Sequence, residues 1–274
     1  MTKTRFIFPT HNRVEWLKES IESVLFSKEV EIWVLAQGCT DGTDEYLAGL
    51  NDPRVHYFTR KENKRGGYWW LLTQFPDLQG YLVLWSDDDR MLPLGLERKR
   101  AILDENPDIS MVFSPVRMMD SEGLIGDIGT MGRIKETDVL RGALAFDKLI
   151  IKDYIPTPTV LMRLEHFTPL LRILDETKFA LCDWQLWLHA AFVGMVGSYL
   201  AEPTIAYRVH AKSDTNEFAS TGRYIQDHLD VWDYWRKKGY KPTHSEYLHI
   251  EKFLVEVCHL CGRSAVEPLQ KLYP

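Results

Sequence analysis

Over residues 1–116 the chain alternates between two periods, and that alternation constrains the fold more than any other feature. Short apolar runs at "RFIF" (5–8), "VEIWVL" (30–35), "RVHYF" (54–58), "YLVLW" (81–85) and "ISMVFSPV" (109–116) read as buried strands. Helical patterns fill the gaps. Asn12, with Glu15 three positions on, matches a capping box, and Val14, Leu17, Ile21, Val24 and Leu25 follow as an apolar stripe. "DEYLAGL", "GYWWLLTQF" and "LPLGLERKRAILDEN" (92–106) supply the other helices. Strands and helices alternating at this spacing predict an α/β fold, a mostly parallel doubly wound sheet with helices on both faces. Such sheets bind ligands at the carboxyl ends of their strands. The polar segments "PTHNR", "AQGCTDG" and "SDDDR" each follow a strand directly, so they should meet on one edge.

Beyond that point the texture changes. Gly123, Gly126, Gly129, Gly132 and Gly142 punctuate a polar stretch from 117 to 160, which reads as a mobile flap or an irregular connection. "IPTPTVLMR" (155–163) restores a strand-like signal, "CDWQLWLHAAFVG" (182–194) is a helix, and "SYLAEPTIAYRVH" (198–210) is two extended pieces around a Pro. After Thr221 the chain turns helical and aromatic, with Trp232, Tyr234, Trp235 and Tyr247. This divides the chain into a unit over 1–213, with halves 1–116 and 117–213, and an appended helical region over 214–274.

A net charge of −6 argues against a surface built to hold a nucleic-acid backbone, although "RKENKR" (60–65) is a local basic patch. No apolar stretch approaches the roughly 20 residues of a transmembrane helix. Four cysteines in 274 residues do not make a disulfide framework, so the expected location is the reducing cytoplasm, with the inner face of a membrane as an alternative surface. The C-x-x-C of Cys258 and Cys261 lies within a helical pattern and reads as two packing thiols rather than a zinc or redox pair.

Asp87, Asp88 and Asp89 close an apolar strand with no polar spacer. Like charges this close repel and raise one another's pKa. One reading is a solvated turn that caps the next helix. Against it, the only adjacent cation is Arg90, which cannot neutralise all three. Hard oxygen ligands in such a setting suit Mg²⁺ or Mn²⁺, shared with phosphate oxygens of a substrate.

"FPTHNRVEWLKESIESVL", then "GCTDGT", then the aspartate cluster ending in Pro93, resembles an inverting nucleotide-sugar glycosyltransferase of family 2 with a GT-A fold. "LCDWQLWLHAAFVGMVGSYLAEPTIAYRVHAKS" (181–213) is similar to that family's acceptor-side segment. The resemblance implies a metal-dependent transfer, with Mn²⁺ or Mg²⁺, of a sugar from a nucleotide-diphosphate donor. The acceptor would be a hydroxyl of a saccharide, polymer or lipid-linked molecule. It implies that Pro9, Thr10 and His11 contact the nucleotide base, with Arg13 beside them. Asp87 would face the ribose. Asp88 would reach the metal, with Asp89 in support and His210 approaching the metal or the diphosphate. Arg208 would meet phosphate, and Asp183 would be the general base, its alternative role being to cap its helix.

Two departures qualify the resemblance. The family usually has two acidic residues after the second strand, one of which accepts the imide N–H of the base; here Ala36 and Gln37 stand there. A Gln carboxamide can still accept that N–H, so a UDP-sugar leads while the base stays open. Ser86 replaces the first acidic residue of the usual D-x-D-D. Lys64 and Arg65 before Gly66–Gly67 could hold phosphate or simply form a solvated turn, and Trp69 could line the sugar site or pack in the core. Asp41 reads as a turn or cap residue. The C-terminal helices offer a surface for the catalytic unit or for a second subunit. Two rivals remain: a catalytically silent relative that binds a glycan or partner, and a sugar nucleotidyltransferase. The latter lacks its expected Gly-rich phosphate loop, since "PTHNRVEW" follows the first strand instead.

Overall fold

The computed structural model describes residues 2–75, 77, 79–129, 141–143, 145–175, 181–211 and 213–272. Four parallel strands open the main sheet: β1 (Thr4–Thr10), β2 (Val30–Gln37), β3 (Val55–Arg60) and β4 (Tyr81–Leu84), in the order β3-β2-β1-β4. The connecting helices are α1 (Val14–Leu25), α2 (Thr43–Gly49) and α3 (Gly67–Leu72). The two-residue β5 (Arg90–Met91), α4 (Gly95–Glu105) and β6 (Ile109–Phe113) follow.

The sheet departs from a simple parallel order here. After β7 (Arg117–Met119), β8 (Ile125–Ile128), β9 (Arg141–Ala143) and the short helix α5 (Phe146–Leu149), strand β10 (Leu161–Arg163) inserts between β4 and β6 and runs antiparallel to both. Helices α6 (Leu164–Phe167) and α7 (Cys182–Phe192) lead to β11 (Val196–Tyr199), which pairs parallel to β6, with β9 antiparallel on its outer side. Strand β12 (Ile205–Arg208) belongs to a second sheet of order β5-β12-β7-β8. Part of the expected flap is thus a sheet; residues 130–140 lie outside the described set.

Side-chain alternation explains why the main sheet takes helices on both faces. Phe6, Phe8, Ile32, Val34 and Val83 point one way, into a core closed by Leu17, Ile21 and Val24 of α1, Leu47 of α2 and Leu96 and Leu103 of α4. Ile7, Leu35, Leu82 and Leu84 point the other way, toward α3, α7 and two later helices, α9 (Arg223–Lys237) and α10 (His244–Leu260). The short α8 (Asp214–Thr221) precedes them and α11 (Val266–Leu272) is the last described element. The C-terminal tryptophans are tied in by their indole N–H groups: Trp232 donates to Ile150 O at 2.7 Å and Trp235 to Gln185 Oε1 at 3.0 Å. Cys258 is buried in this core and both C-x-x-C thiols are free, their pKa values raised first by burial, as packing thiols should be. Among the described residues, no helix is long and apolar enough to cross a membrane.

Arg208 at the end of β12 joins the two sheets. Its Nε donates to Asp88 O at 2.8 Å, Nη1 to Asp120 O and Ser121 O at 3.3 and 3.0 Å, and Nη2 to Glu19 Oε2 at 2.5 Å. Its guanidinium sits 5.4 Å from the Trp16 ring centroid, and only 1% of the side chain is exposed. The sequence expectation of a phosphate contact is corrected here: the guanidinium is engaged inside the fold because three chain segments bring carbonyls and a carboxylate to it. Removing the guanidinium leaves the buried Asp88 carbonyl without its donor, while the part-exposed Glu19 keeps Arg90 and water. Arg208→Met should therefore cost about 1–3 kcal/mol in urea unfolding; a loss below about 0.5 kcal/mol would contradict the buried network.

Lys99 of α4 is a second buried cation, 3% exposed, its ammonium donating to Thr159 O. Burial pulls its pKa down from 10.5 to about 7. The unfolded chain keeps the ordinary value, so above roughly pH 7 the unfolded state binds the extra proton and stability rises with pH. The slope approaches about 1.4 kcal/mol per pH unit. Thermal melts at about pH 7 and about pH 9 should show that rise in the wild type and its loss in Lys99→Met.

Candidate active site

Three strand-end loops interlock at one edge of the main sheet, as the sequence leads one to expect. Asn12 adopts a left-handed backbone (φ 52°) and its Oδ1 accepts the Thr40 N–H at 2.7 Å. Asp41 Oδ2 accepts the Val14 N–H at 2.8 Å, while its Oδ1 holds the Thr43 hydroxyl at 2.6 Å. The His11 ring places Nδ1 2.6 Å from Gln37 O, so that nitrogen carries the donating hydrogen. The expected Asn12–Glu15 capping box therefore does not form. Arg13 holds the N-cap position of α1 with no side-chain bond of that kind, and the cap comes across from Asp41.

Pro9, Thr10 and Gln37 lie at the ends of β1 and β2, and Arg60 stands opposite Gln37 in register on β3. Arg60 Nη1 donates to Gln37 Oε1 at 3.4 Å while its guanidinium lies 4.7 Å from the Trp70 ring centroid. Gly67 starts α3 against this corner. A Cβ there would sit 2.8 Å from Pro9 Cβ and 3.3 Å from Gln37 Nε2, so only glycine permits the approach. Three other candidates have different surroundings. Lys64 pairs with Glu62 on the surface at 2.8 Å, and Arg65 lies over the Phe218 ring at 5.5 Å. Trp69 lines a groove of about 410 Å³ with Leu72, Phe75, Pro169 and Arg172, and no other sequence candidate lines it.

The aspartates follow β4 in a turn closed by the Asp89 N–H on Ser86 O at 3.5 Å; the Ser20 hydroxyl also donates to that carbonyl. Asp87, Asp88 and Asp89 are 2%, 8% and 0% exposed, so their repulsion is not relieved by water. Arg90, their sequence neighbour, turns away to Glu19 and Gly123 O. The cation supplied is Arg13, whose Nη1 donates to Asp87 Oδ1 at 2.9 Å and Asp88 Oδ2 at 3.3 Å. His210 Nε2 lies 2.8 Å from the same Asp88 Oδ2, with its ring centroid 4.2 Å from that of Trp16. Asp89 Oδ1 accepts the Arg208 backbone N–H at 2.8 Å. Burial first, then the charge of Asp88, pushes the pKa of both Asp87 and Asp89 above the usual carboxylate range, while Arg13 pulls that of Asp87 back.

Asp87 Oδ2, Asp89 Oδ2 and His210 Nδ1 remain buried without a hydrogen-bond partner. Unpaired buried oxygens beside a carboxylate–imidazole pair are what a hard divalent ion shared with phosphate oxygens would satisfy. Among the described residues, no cluster of three or more His, Cys, Asp or Glu forms a protein-only cage. The unpaired Asp87 and Asp89 oxygens and the His210 ring nitrogen are nonetheless donors of the kind such an ion takes.

Asp183 lies in the first turn of α7, part-exposed, with Oδ2 accepting from the Thr157 hydroxyl at 2.6 Å and Oδ1 from the Trp184 N–H at 2.8 Å. Asp153 is its electrostatic neighbour. As a whole residue it is part-exposed, but burial of its carboxyl and the charge of Asp183 push its pKa well above the ordinary value, favouring the neutral form. Burial and the charges of Asp153 and Asp183 also push Tyr224 up to about 12. Sequence reading missed Asp153 and Thr157, and named Arg60 and Gly67 only within the basic patch and the Gly66–Gly67 turn, not at this corner. Arg60 could have been found as the strand-end residue after "RVHYF"; Thr157 and Asp153 fall in an irregular stretch with no period to place them.

A structure of the mannosyltransferase PcManGT from Pyrobaculum calidifontis, in complex with GDP-Man and Mn²⁺, superposes with a TM-score of 0.63 at 14% identity, covering 95% of this chain and 73% of that one. Residues 1–349 of S. aureus TarS give 0.55 at 17%, covering 94% and 81%. These likenesses show a shared GT-A-type fold. Uncharacterized glycosyltransferases of Rickettsia bellii and Rickettsia felis are 24% and 25% identical over 87% and 90% of this chain. The chain spans 33% and 39% of their lengths. The sequence model of glycosyl transferase family 2 matches residues 6–143. With just over half of its 274 residues matched in this way, the chain belongs to glycosyl transferase family 2.

Proposed function

We infer that the chain is a metal-dependent, inverting glycosyltransferase that moves a sugar from a nucleotide-diphosphate donor to a hydroxyl of a saccharide, polymer or lipid-linked acceptor. The observation that carries this reading is the Asp88–His210 pair at 2.8 Å, buried among unsatisfied carboxylate oxygens at the strand ends. Asp88 and His210 would hold Mn²⁺ or Mg²⁺, with Asp89 behind them, and the ion would supply positive charge to the leaving diphosphate. Pro9, Thr10, His11 and Gln37 line the strand-end corner for the base, and Asp87 stands beside it for the ribose. The Gln37 carboxamide both donates and accepts, which suits a base presenting an N–H next to a carbonyl. Uracil and guanine share that edge, and the GDP-Man bound by PcManGT supports testing both.

Asp183 takes the proton of the acceptor hydroxyl as its oxygen attacks the anomeric carbon from the face opposite the departing diphosphate. One in-line displacement inverts the configuration. General-base assistance of this kind contributes about 10²–10⁴-fold.

Hydrolysis and transfer from UDP- and GDP-sugars, measured with Mn²⁺, with Mg²⁺ and with chelator, test the reading. Activity should require the ion and fall at least about 100-fold in both Asp88→Ala and Asp183→Asn. Full activity in either variant sinks that assignment, and a wild type with no metal-linked nucleotide binding returns the silent binding protein.

A further inference from the structure

Thr157 approaches Asp183 from a different part of the chain. It starts the tight turn Thr157–Thr159, which follows Pro156 and precedes β10. That turn is closed by its own bonds and anchored from two other segments. The Thr159 hydroxyl donates to Pro156 O at 2.7 Å and accepts the Ser114 N–H at 3.4 Å; Thr159 O receives the buried Lys99 ammonium; and the Val160 N–H closes onto Thr157 O at 3.0 Å. Pro158 and Thr159 are buried, so the turn has little freedom to relax.

A free aspartate in a first helical turn has a broad, nearly two-fold χ2, and a carboxylate that swings cannot hold one lone pair on a bound hydroxyl. Here two donors of independent origin fix it. The Trp184 N–H belongs to α7 itself and holds Oδ1 at 2.8 Å; the Thr157 hydroxyl belongs to the anchored turn and holds Oδ2 at 2.6 Å, in the range of a charge-assisted bond. Each carboxylate oxygen has two lone-pair sites, so each keeps one for a proton.

We propose that Thr157 is a positioning residue for Asp183: its hydroxyl locks the carboxylate so that the remaining lone pair of Oδ2 faces the acceptor hydroxyl. The proposal rests on Asp183 being the base. The buried Lys99 of α4 holds the far end of the same turn.

The test uses the full chain and Mn²⁺-dependent hydrolysis of whichever of UDP-glucose, UDP-N-acetylglucosamine and GDP-mannose the wild type turns over. Thr157→Val, nearly the same shape without the hydroxyl, should lower kcat about 10- to 100-fold while the donor KM stays within about twofold. Thr157→Ser should recover most of kcat, and Thr157→Ala gives the same comparison if the Val variant folds poorly. Wild-type kcat in Thr157→Val, a loss confined to KM, or a Ser variant as slow as Val overturns the positioning role. Asp183→Asn separates the two ideas: if it keeps wild-type kcat, the base assignment itself fails. If it is inactive while Thr157→Val is unimpaired, only the inference about Thr157 fails.

Discussion

The buried guanidinium of Arg208 is the interaction on which the arrangement of this molecule depends. It bonds to Asp88 O in the aspartate turn, to Glu19 in α1 and to the carbonyls of Asp120 and Ser121 between β7 and β8. An arginine serves here where a lysine would not, because its planar fork can meet several acceptors in different directions at once. Its backbone N–H adds the bond to Asp89. His210 is only two residues further along, so the same anchor that joins the sheets also delivers an imidazole to Asp88.

That delivery sets the electrostatics of the edge. Three consecutive buried carboxylates meet the Arg13 side chain at Asp87 and Asp88, the His210 imidazole at Asp88 and the charge of Arg208 at Asp89, and burial shifts the outer two toward their protonated forms. The turn is thus held at the expense of unsatisfied oxygens, the kind of local cost that folds retain at working sites. At Asp183 the logic differs: it is part-exposed and doubly hydrogen-bonded, which keeps it accessible while restricting its motion.

Much of this was legible in the chain. The strands of residues 1–116 and the convergence of "PTHNR", "AQGCTDG" and "SDDDR" followed from period and polarity, because β1, β2, β4 and β6 are buried along most of their length, β3 being only half-buried, and each polar segment begins where an apolar run stops. What failed to show were pairings made across long separations. Arg90 is adjacent to the triplet but serves Glu19, while Arg13 reaches it from 74 residues away. The ribbon of β7 and β8 escaped notice because strands of three and four residues among glycines carry no period. Arg208 looked like a phosphate ligand because a motif records a residue's neighbours in sequence, and burial is a property of neighbours in space.

The antiparallel β10 carries a consequence for the order in which the chain can become itself. Among the described residues, strand β6 finds its ladder partners only in β10 and β11, and β4 is flanked by β1 and β10. Residues 109–113 therefore have no partner until residues 161–163 arrive, and until then β4 presents an open edge. Closure of the sheet is a late, non-local event of high contact order, slower than hairpin or helix formation. The chain emerging from a ribosome can assemble β1, β2 and β3 early, yet the edge that bears the aspartates is sealed only once more than half of the sequence is available.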